Sequence, residues 1–94
     1  MPLFVLNCID KPGSLALRLE TRPAHLAYMD AAGKAKLGGP YLNAAGDPVG
    51  SLIIIEADDE AAALAFSQAD PYRKAGLFET VDVRAWRPVV GELK

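Results

Sequence analysis

Cysteine is almost missing from this chain. Cys8 is the only one, which excludes an internal disulfide and fits a reducing cytoplasm. Histidine is equally scarce: His25 stands alone. With no cluster of carboxylates or thiols around it, zinc-type ligand spacing is absent, and neither metal nor cofactor is expected. There is no basic excess, since ten Lys and Arg face twelve Asp and Glu for a formal charge of −2. That charge gives nucleic-acid phosphates no partner. The longest apolar run, around Ser51–Ile55, falls far short of the ~20 residues that span a bilayer, so no membrane partner is expected. The N-terminus lacks a basic stretch, apolar segment and cleavage site in signal-peptide order. No repeat, linker or biased tract divides the 94 residues, and chains usually split into domains only beyond ~250 residues, so 1–94 is expected to be a single domain. Hydrophobic residues at 51% and charged residues at 23% exclude a disordered chain.

What is present alternates between strand and helix patterns. Leu3–Ile9 is apolar on both faces, with Phe4, Leu6 and Cys8 on one and Leu3, Val5 and Ile9 on the other. A strand of that kind is covered from both sides. From Ser14 to Ala32 the spacing predicts helix, with Leu15, Leu19, Leu26 and Met29 as its apolar stripe. Pro23 interrupts it, so a short helix is expected to Glu20 and a second from Thr21 or Arg22 to Gly33. Lys36–Asn43 reads as an edge strand kinked or bulged at Gly38-Gly39-Pro40, and Gly50–Glu56 as the strongest strand, again two-faced. Asp58-Asp59-Glu60 opens a helix over Ala61–Ala69, with Ala62, Phe66 and Ala69 inward. Asp70-Pro71 starts a further turn that Gly76 ends, and Phe78–Pro88 is a half-polar strand.

The order β-α-β-β-α-β is the α+β, ferredoxin-like split pattern, an antiparallel sheet with helices on one face. Two helical segments cover only one face, yet two strands are apolar on both. Burying a Leu or Ile fully is worth ~1.5–3 kcal/mol. A second copy packing sheet against sheet, a homodimer, is the economical cover. Val89–Lys94 has no place in that core.

Few side chains can carry chemistry. His25 lies at the border of the apolar stripe beside Tyr28 and Met29, and imidazole suits proton transfer near neutrality; the alternative is a boundary histidine without a role. Asp70 caps the turn at Pro71, or caps it with one oxygen and orients an imidazole with the other. Arg22 either holds an anionic group or stands exposed. Gly38, Gly39 and Pro40 form a bulge, or a place where backbone approaches a ligand. Tyr41 and Tyr72 either offer hydroxyls or simply pack. Trp86 is expected on the strand or dimer surface, and Cys8 as an inert core thiol. Ser51 has no nucleophile-elbow context.

Arg22-Pro23-Ala24-His25-Leu26, then Gly39-Pro40, then Asp70-Pro71-Tyr72 with Gly76 resemble, in that order, the signature of the YciI-like, or YCII-related, family across nearly the whole chain. The resemblance implies a ferredoxin-like subunit of a dimeric α/β barrel and a His–Asp pair in a cleft, here His25 and Asp70. The family includes a dehydrochlorinase of a chlorinated hydroxyhydroquinone; larger relatives have been linked to transcription regulation. This chain departs from it in a short Asn43–Gly50 connection, where relatives often carry a longer loop.

The resulting expectation is a cofactor-independent acid–base enzyme, lyase- or isomerase-like, acting on a hydroxylated or enolisable small molecule. His25 moves the proton, Asp70 orients it, and Arg22, Gly38, Gly39, Pro40 and Tyr72 line the site. The rival is a non-catalytic dimeric ligand-binding module using the same cleft. Oxygen-dependent quinol oxidation is suggested only by analogy of fold.

Overall fold

The structure, a computed structural model, describes residues 2–92; Leu93 and Lys94, the end of the segment left outside the core, lie beyond them. Four strands, β1 (Leu3–Asp10), β2 (Ala35–Leu42), β3 (Pro48–Glu56) and β4 (Phe78–Trp86), form one sheet in the order β2-β3-β1-β4. Each neighbouring pair is antiparallel. Helix α1 (Leu15–Ala32) links β1 to β2, while α2 (Glu60–Gln68) and the short α3 (Pro71–Lys74) link β3 to β4. This is the expected β-α-β-β-α-β order with helices on one face.

Period-2 alternation decides which side chains the helices cover. Phe4, Leu6 and Cys8 of β1 stand opposite Ile55, Ile53 and Ser51 of β3 and Ala85, Val83 and Val81 of β4. These rows meet Ala63 and Phe66 of α2 in the core. The buried helix residues are Ala63, Phe66 and Ser67, whereas Ala62, Phe66 and Ala69 were the expected stripe. The helix is rotated from that reading, with Ala62 only partly buried against the core. The helix starts at Glu60, one residue earlier than expected, and of the three acidic residues at its start Asp59 is the cap, its side chain accepting from the Ala62 N–H at 2.8 Å.

Two expectations about the first half of the chain are corrected. Pro23 does not divide the helix: α1 runs unbroken through it. An interior proline costs about 3 kcal/mol. Both halves of α1 are tied down independently, which outweighs that loss. Arg18 bonds Asp10 and Ser51 on the sheet upstream of Pro23, and downstream the Tyr28 hydroxyl donates to the Phe66 carbonyl at 2.8 Å. Of the expected stripe only Met29 packs against the core. Leu15, Leu19 and Leu26 are exposed, and the buried residues of α1 are Arg18 and His25.

At the β2 edge the pairing runs regularly through Gly38, Gly39 and Pro40, and the register shifts flank them, between Ala35 and Leu37 and between Tyr41 and Leu42. The expected bulge at the glycines is thus displaced to either side. The β2–β3 turn is tight: the Asn43 side-chain oxygen accepts from the Ala45 and Asp47 N–H groups, each at 3.0 Å.

The second sheet face carries no helix. It presents Leu3, Val5 and Ile9 of β1, Leu52 and Ile54 of β3, Leu37 of β2 and Trp86 of β4. Leu37 is 58% exposed, Ile9 41%, Trp86 39% and Leu52 36%. Tyr41 crosses this face to donate to the Asn7 side-chain oxygen at 2.6 Å. It passes over Gly50, where a Cβ would stand 2.9 Å from the Tyr41 ring and 2.5 Å from the Cys8 carbonyl oxygen. Only glycine fits there. Val89 and Val90, beyond β4, are almost fully exposed.

Candidate active site

Residues 18, 22, 25 and 29 follow one another at helical spacing, so Arg18, Arg22, His25 and Met29 share one face of α1. That face looks across at β2 and β3. Between them lies a cleft of about 340 Å³, lined also by Leu19, Leu26, Gly38, Gly39, Pro40, Ser51, Ile53 and Tyr72. Leu19, Leu26 and Met29 of the expected stripe therefore form part of the cleft wall. Every residue expected at the site, His25, Arg22, Gly38, Gly39, Pro40 and Tyr72, lines this cleft, and Asp70 stands directly behind His25.

His25 Nδ1 lies 2.8 Å from Asp70 Oδ1, and both side chains are buried. The same oxygen accepts the Tyr72 backbone N–H at 2.9 Å. The expectation that separate oxygens would cap the turn and meet the imidazole is corrected: Oδ1 does both. A carboxylate oxygen can only accept, so the proton of this bond belongs to Nδ1. In the neutral ring Nε2 then keeps its lone pair, and among the described residues it has no hydrogen-bond partner. The ring is stacked on Tyr72, with centroids 4.0 Å apart and planes at 17°. Imidazole orientation is thus fixed at the edge by Asp70 and at the face by Tyr72. An imidazole so held can take a proton at Nε2 while Asp70 supports the resulting cation.

Burial pushes the Tyr72 hydroxyl above the usual tyrosine range, with Arg18 and Arg22 opposing this and Asp70 and Asp10 adding to it. Tyr72 consequently remains a protonated phenol. Arg22 is exposed at the cleft mouth and forms no ion pair among the described residues. Gly38 and Gly39 are not demanded by packing. A Cβ at Gly38 would meet Ile53 and the Leu52 carbonyl at an ordinary 3.6 Å, and one at Gly39 would meet nothing. Tyr41 is on the opposite sheet face, away from the cleft. Cys8 is buried in the core, its thiol pushed up to about 12, with burial the largest cause and the Asp70 charge next.

A second polar cluster went unnoticed in the sequence. Arg18 Nε donates to Asp10 Oδ2 at 2.7 Å, and Nη2 donates to Asp10 Oδ1 at 3.0 Å and to Ser51 Oγ at 2.8 Å. All three residues are buried, and the guanidinium carbon lies 4.7 Å from the centre of the Tyr72 ring. Burial works against the Arg18 cation, but the hydrogen bond and charge of Asp10 outweigh it and raise its pKa. The sequence did hold a signal. Asp10 continues the inward series Phe4, Leu6, Cys8, and Ser51 the series Ile55, Ile53, so an inward carboxylate needed a cation. Among the described residues no group of three or more His, Cys, Asp or Glu is placed to hold a metal ion, and no helix is long and apolar enough to cross a membrane.

The model of the YCII-related domain matches residues 2–87. The chain belongs to the YCII-related family. It is 38% identical to Protein YciI of Escherichia coli, and equally to that of Shigella flexneri, over 93% of this chain and 98% of theirs. Among solved structures, this YCII-related chain is similar to the 5-chloro-2-hydroxyhydroquinone dehydrochlorinase TftG of Burkholderia phenoliruptrix, in complex with 2,5-dihydroxybenzoquinone. The match has a TM-score of 0.84 and 38% identity, covering 90% of this chain and 93% of that one. An antibiotic biosynthesis monooxygenase structure shares the fold at 14% identity with a TM-score of 0.59.

Proposed function

We propose that this YCII-related protein is a cofactor-independent acid–base enzyme acting on a small hydroxylated or enolisable molecule. The observation that carries the reading is the buried His25–Asp70 pair, with Nε2 of His25 left unbonded in a cleft. His25 takes a proton from an O–H or an acidic C–H of the substrate. Asp70 keeps Nδ1 protonated and stabilises the imidazolium that forms. Arg22 draws an anionic substrate toward the mouth, while Gly38, Gly39, Pro40 and Tyr72 shape the walls. A cleft of about 340 Å³ suits a single-ring molecule. The similarity to a dehydrochlorinase in complex with a dihydroxybenzoquinone supports elimination or isomerisation on an oxygenated ring or enol.

The acting species is a homodimer of single-domain chains in the cytoplasm. An uncovered sheet face bearing Leu37, Ile9, Leu52 and Trp86 supports self-association, because contiguous apolar patches of this kind are uncommon on monomers. The single reduced cysteine is in keeping with the compartment. Sedimentation at micromolar concentration is expected to give twice the chain mass; a monomer at that concentration contradicts the dimer and leaves the cleft chemistry standing.

The test of the chemistry is solvent exchange. In D₂O the protein is expected to catalyse exchange of carbon-bound hydrogen in hydroxyhydroquinones or small enolisable ketones, and His25→Ala to lose about a hundredfold or more of that rate. Equal rates for parent and His25→Ala would remove the acid–base role and favour the binding module.

A further inference from the structure

The polarity of the cleft runs opposite to that of an ordinary surface groove. Its inner wall is polar: His25 is only 8% exposed, with Nε2 unbonded. Its mouth is apolar. Leu19 and Leu26 of α1 line the cleft and are 50% and 51% exposed. Seven residues make nearly two helical turns, so the two leucines fall in one row about 10 Å long. Successive helix residues stand about 100° apart, and Leu26, next to His25, is turned from the imidazole toward the entrance. Arg22 lies between the leucines at the mouth and can add its aliphatic stem to the same surface. A helix that buries an arginine and a histidine while leaving a row of leucines in water marks a place where something apolar is received. Sheet-to-sheet pairing does not cover this row, because it stands on the helical side.

The facing wall lacks a side chain. Gly38 pairs with Ile53, and a Cβ built on it would stand beside the Ile53 side chain on the cleft side, at an ordinary 3.6 Å. Gly38 does not have a positive φ. Glycine weakens a strand interior, and neither backbone geometry nor packing requires it here. What it supplies is room, on the β2 wall of the cleft that the leucines also line.

Resting on the acid–base reading only for where the reacting group sits, we infer that the leucine row and the space at Gly38 form a subsite for an apolar substituent. The substrate is then a hydroxylated or enolisable ring bearing an alkyl group of several carbons. The reacting O–H enters first and meets Nε2. The alkyl group trails toward the mouth, covering Leu19 and Leu26 and occupying the place of the absent Gly38 side chain. Removing this surface from water supplies the affinity. The polar head supplies less, since it exchanges water for one protein partner. A bare ring leaves both leucines wet.

The experiment is a calorimetric binding series with 4-methylphenol, 4-ethylphenol, 4-propylphenol and 4-butylphenol, which share one head. In the parent, binding is expected to tighten about threefold for each added CH₂, a little below the roughly fourfold of complete burial because the mouth is open. Butylphenol then exceeds methylphenol about thirtyfold. Leu19→Ser combined with Leu26→Ser is expected to cut that ratio to about threefold or less. Both side chains are exposed, so the urea midpoint of the double variant should match the parent's, which separates loss of the subsite from loss of the fold. Gly38→Ala puts a methyl into the space and should lower the ratio about tenfold. A flat series in the parent, or a slope that survives the double serine variant, overturns the subsite. So does a double variant that changes the sedimentation of the protein, because the leucines then serve contact between copies. 4-Butylanisole cannot donate to Nε2 and is expected to bind about tenfold more weakly than 4-butylphenol; equal binding overturns the head-inward orientation. Failure of the acid–base reading shows differently. If His25→Ala keeps the parent's hydrogen-exchange rate while the alkyl dependence is intact, the catalysis falls and the subsite stands.

Discussion

Two buried side-chain pairs engage one face of one helix, Arg18–Asp10 and His25–Asp70, and they differ in what they leave over. Arg18–Asp10 is nearly closed on itself, with two parallel hydrogen bonds and a third to Ser51. His25–Asp70 has one side-chain bond and a ring nitrogen to spare. The first ties α1 to the end of β1 and to β3, upstream of Pro23. The second joins the later half of α1 to the turn before α3, at a position where the helix needs no such anchor, since Tyr28 already bonds the Phe66 carbonyl there. The contrast assigns the arginine pair to stability and leaves the histidine pair for the chemistry proposed above.

Breaking the arginine pair is expected to have the largest effect on folding. Arg18→Met strands the Asp10 carboxylate in the interior and should cost about 3–5 kcal/mol in urea unfolding. Adding Asp10→Leu should recover most of it. Breaking the histidine pair should do the reverse. Asp70→Asn keeps an oxygen for the Tyr72 N–H and should leave stability within about 1 kcal/mol, while solvent-exchange turnover falls by about a hundredfold or more. If both substitutions lowered stability alike, the two pairs would not be distinct.

The sheet gives a smaller version of the same test, between a glycine packing demands and one it does not. Gly50→Ala would force a Cβ to within 2.5 Å of the Cys8 carbonyl oxygen and should cost about 1–3 kcal/mol. Gly39→Ala faces open space and should stay within about 0.5 kcal/mol. Last is an effect of Cys8 that is absent at neutral pH and confined to alkali. Its thiol ionises near 9.0 when free and at about 12 when folded, so between those values the native state holds the proton that the unfolded state loses. Stability from this group is complete below pH about 9 and falls as pH rises toward about 12. Cys8→Ala should flatten that part of the stability profile.

Much of the fold was legible in the sequence because period and punctuation agreed. The order of elements along the chain, the acidic start of α2 and the turn at Asp70-Pro71 all came from local chemistry. Pro23 misled because local propensity says nothing of anchors supplied by distant strands, and Asp10 and Ser51 are remote from α1 in sequence. The leucines of α1 misled for a related reason: their spacing marks one face, and only the packed sheet shows that this face borders a cleft rather than a core. At the site, His25 and Asp70 could be singled out by scarcity and by capping chemistry. Arg18 was passed over, although the inward alternation of Asp10 called for a buried cation.

The most direct measurement is the tautomer of His25, read from the ¹⁵N signals of its ring at a pH where the imidazole is neutral. As the only histidine, it needs no assignment. Free imidazole side chains favour the proton on Nε2. The His25–Asp70 bond predicts the proton on Nδ1, with reversion to Nε2 in Asp70→Ala. A parent protein carrying its proton on Nε2 would contradict the base assigned to this cleft.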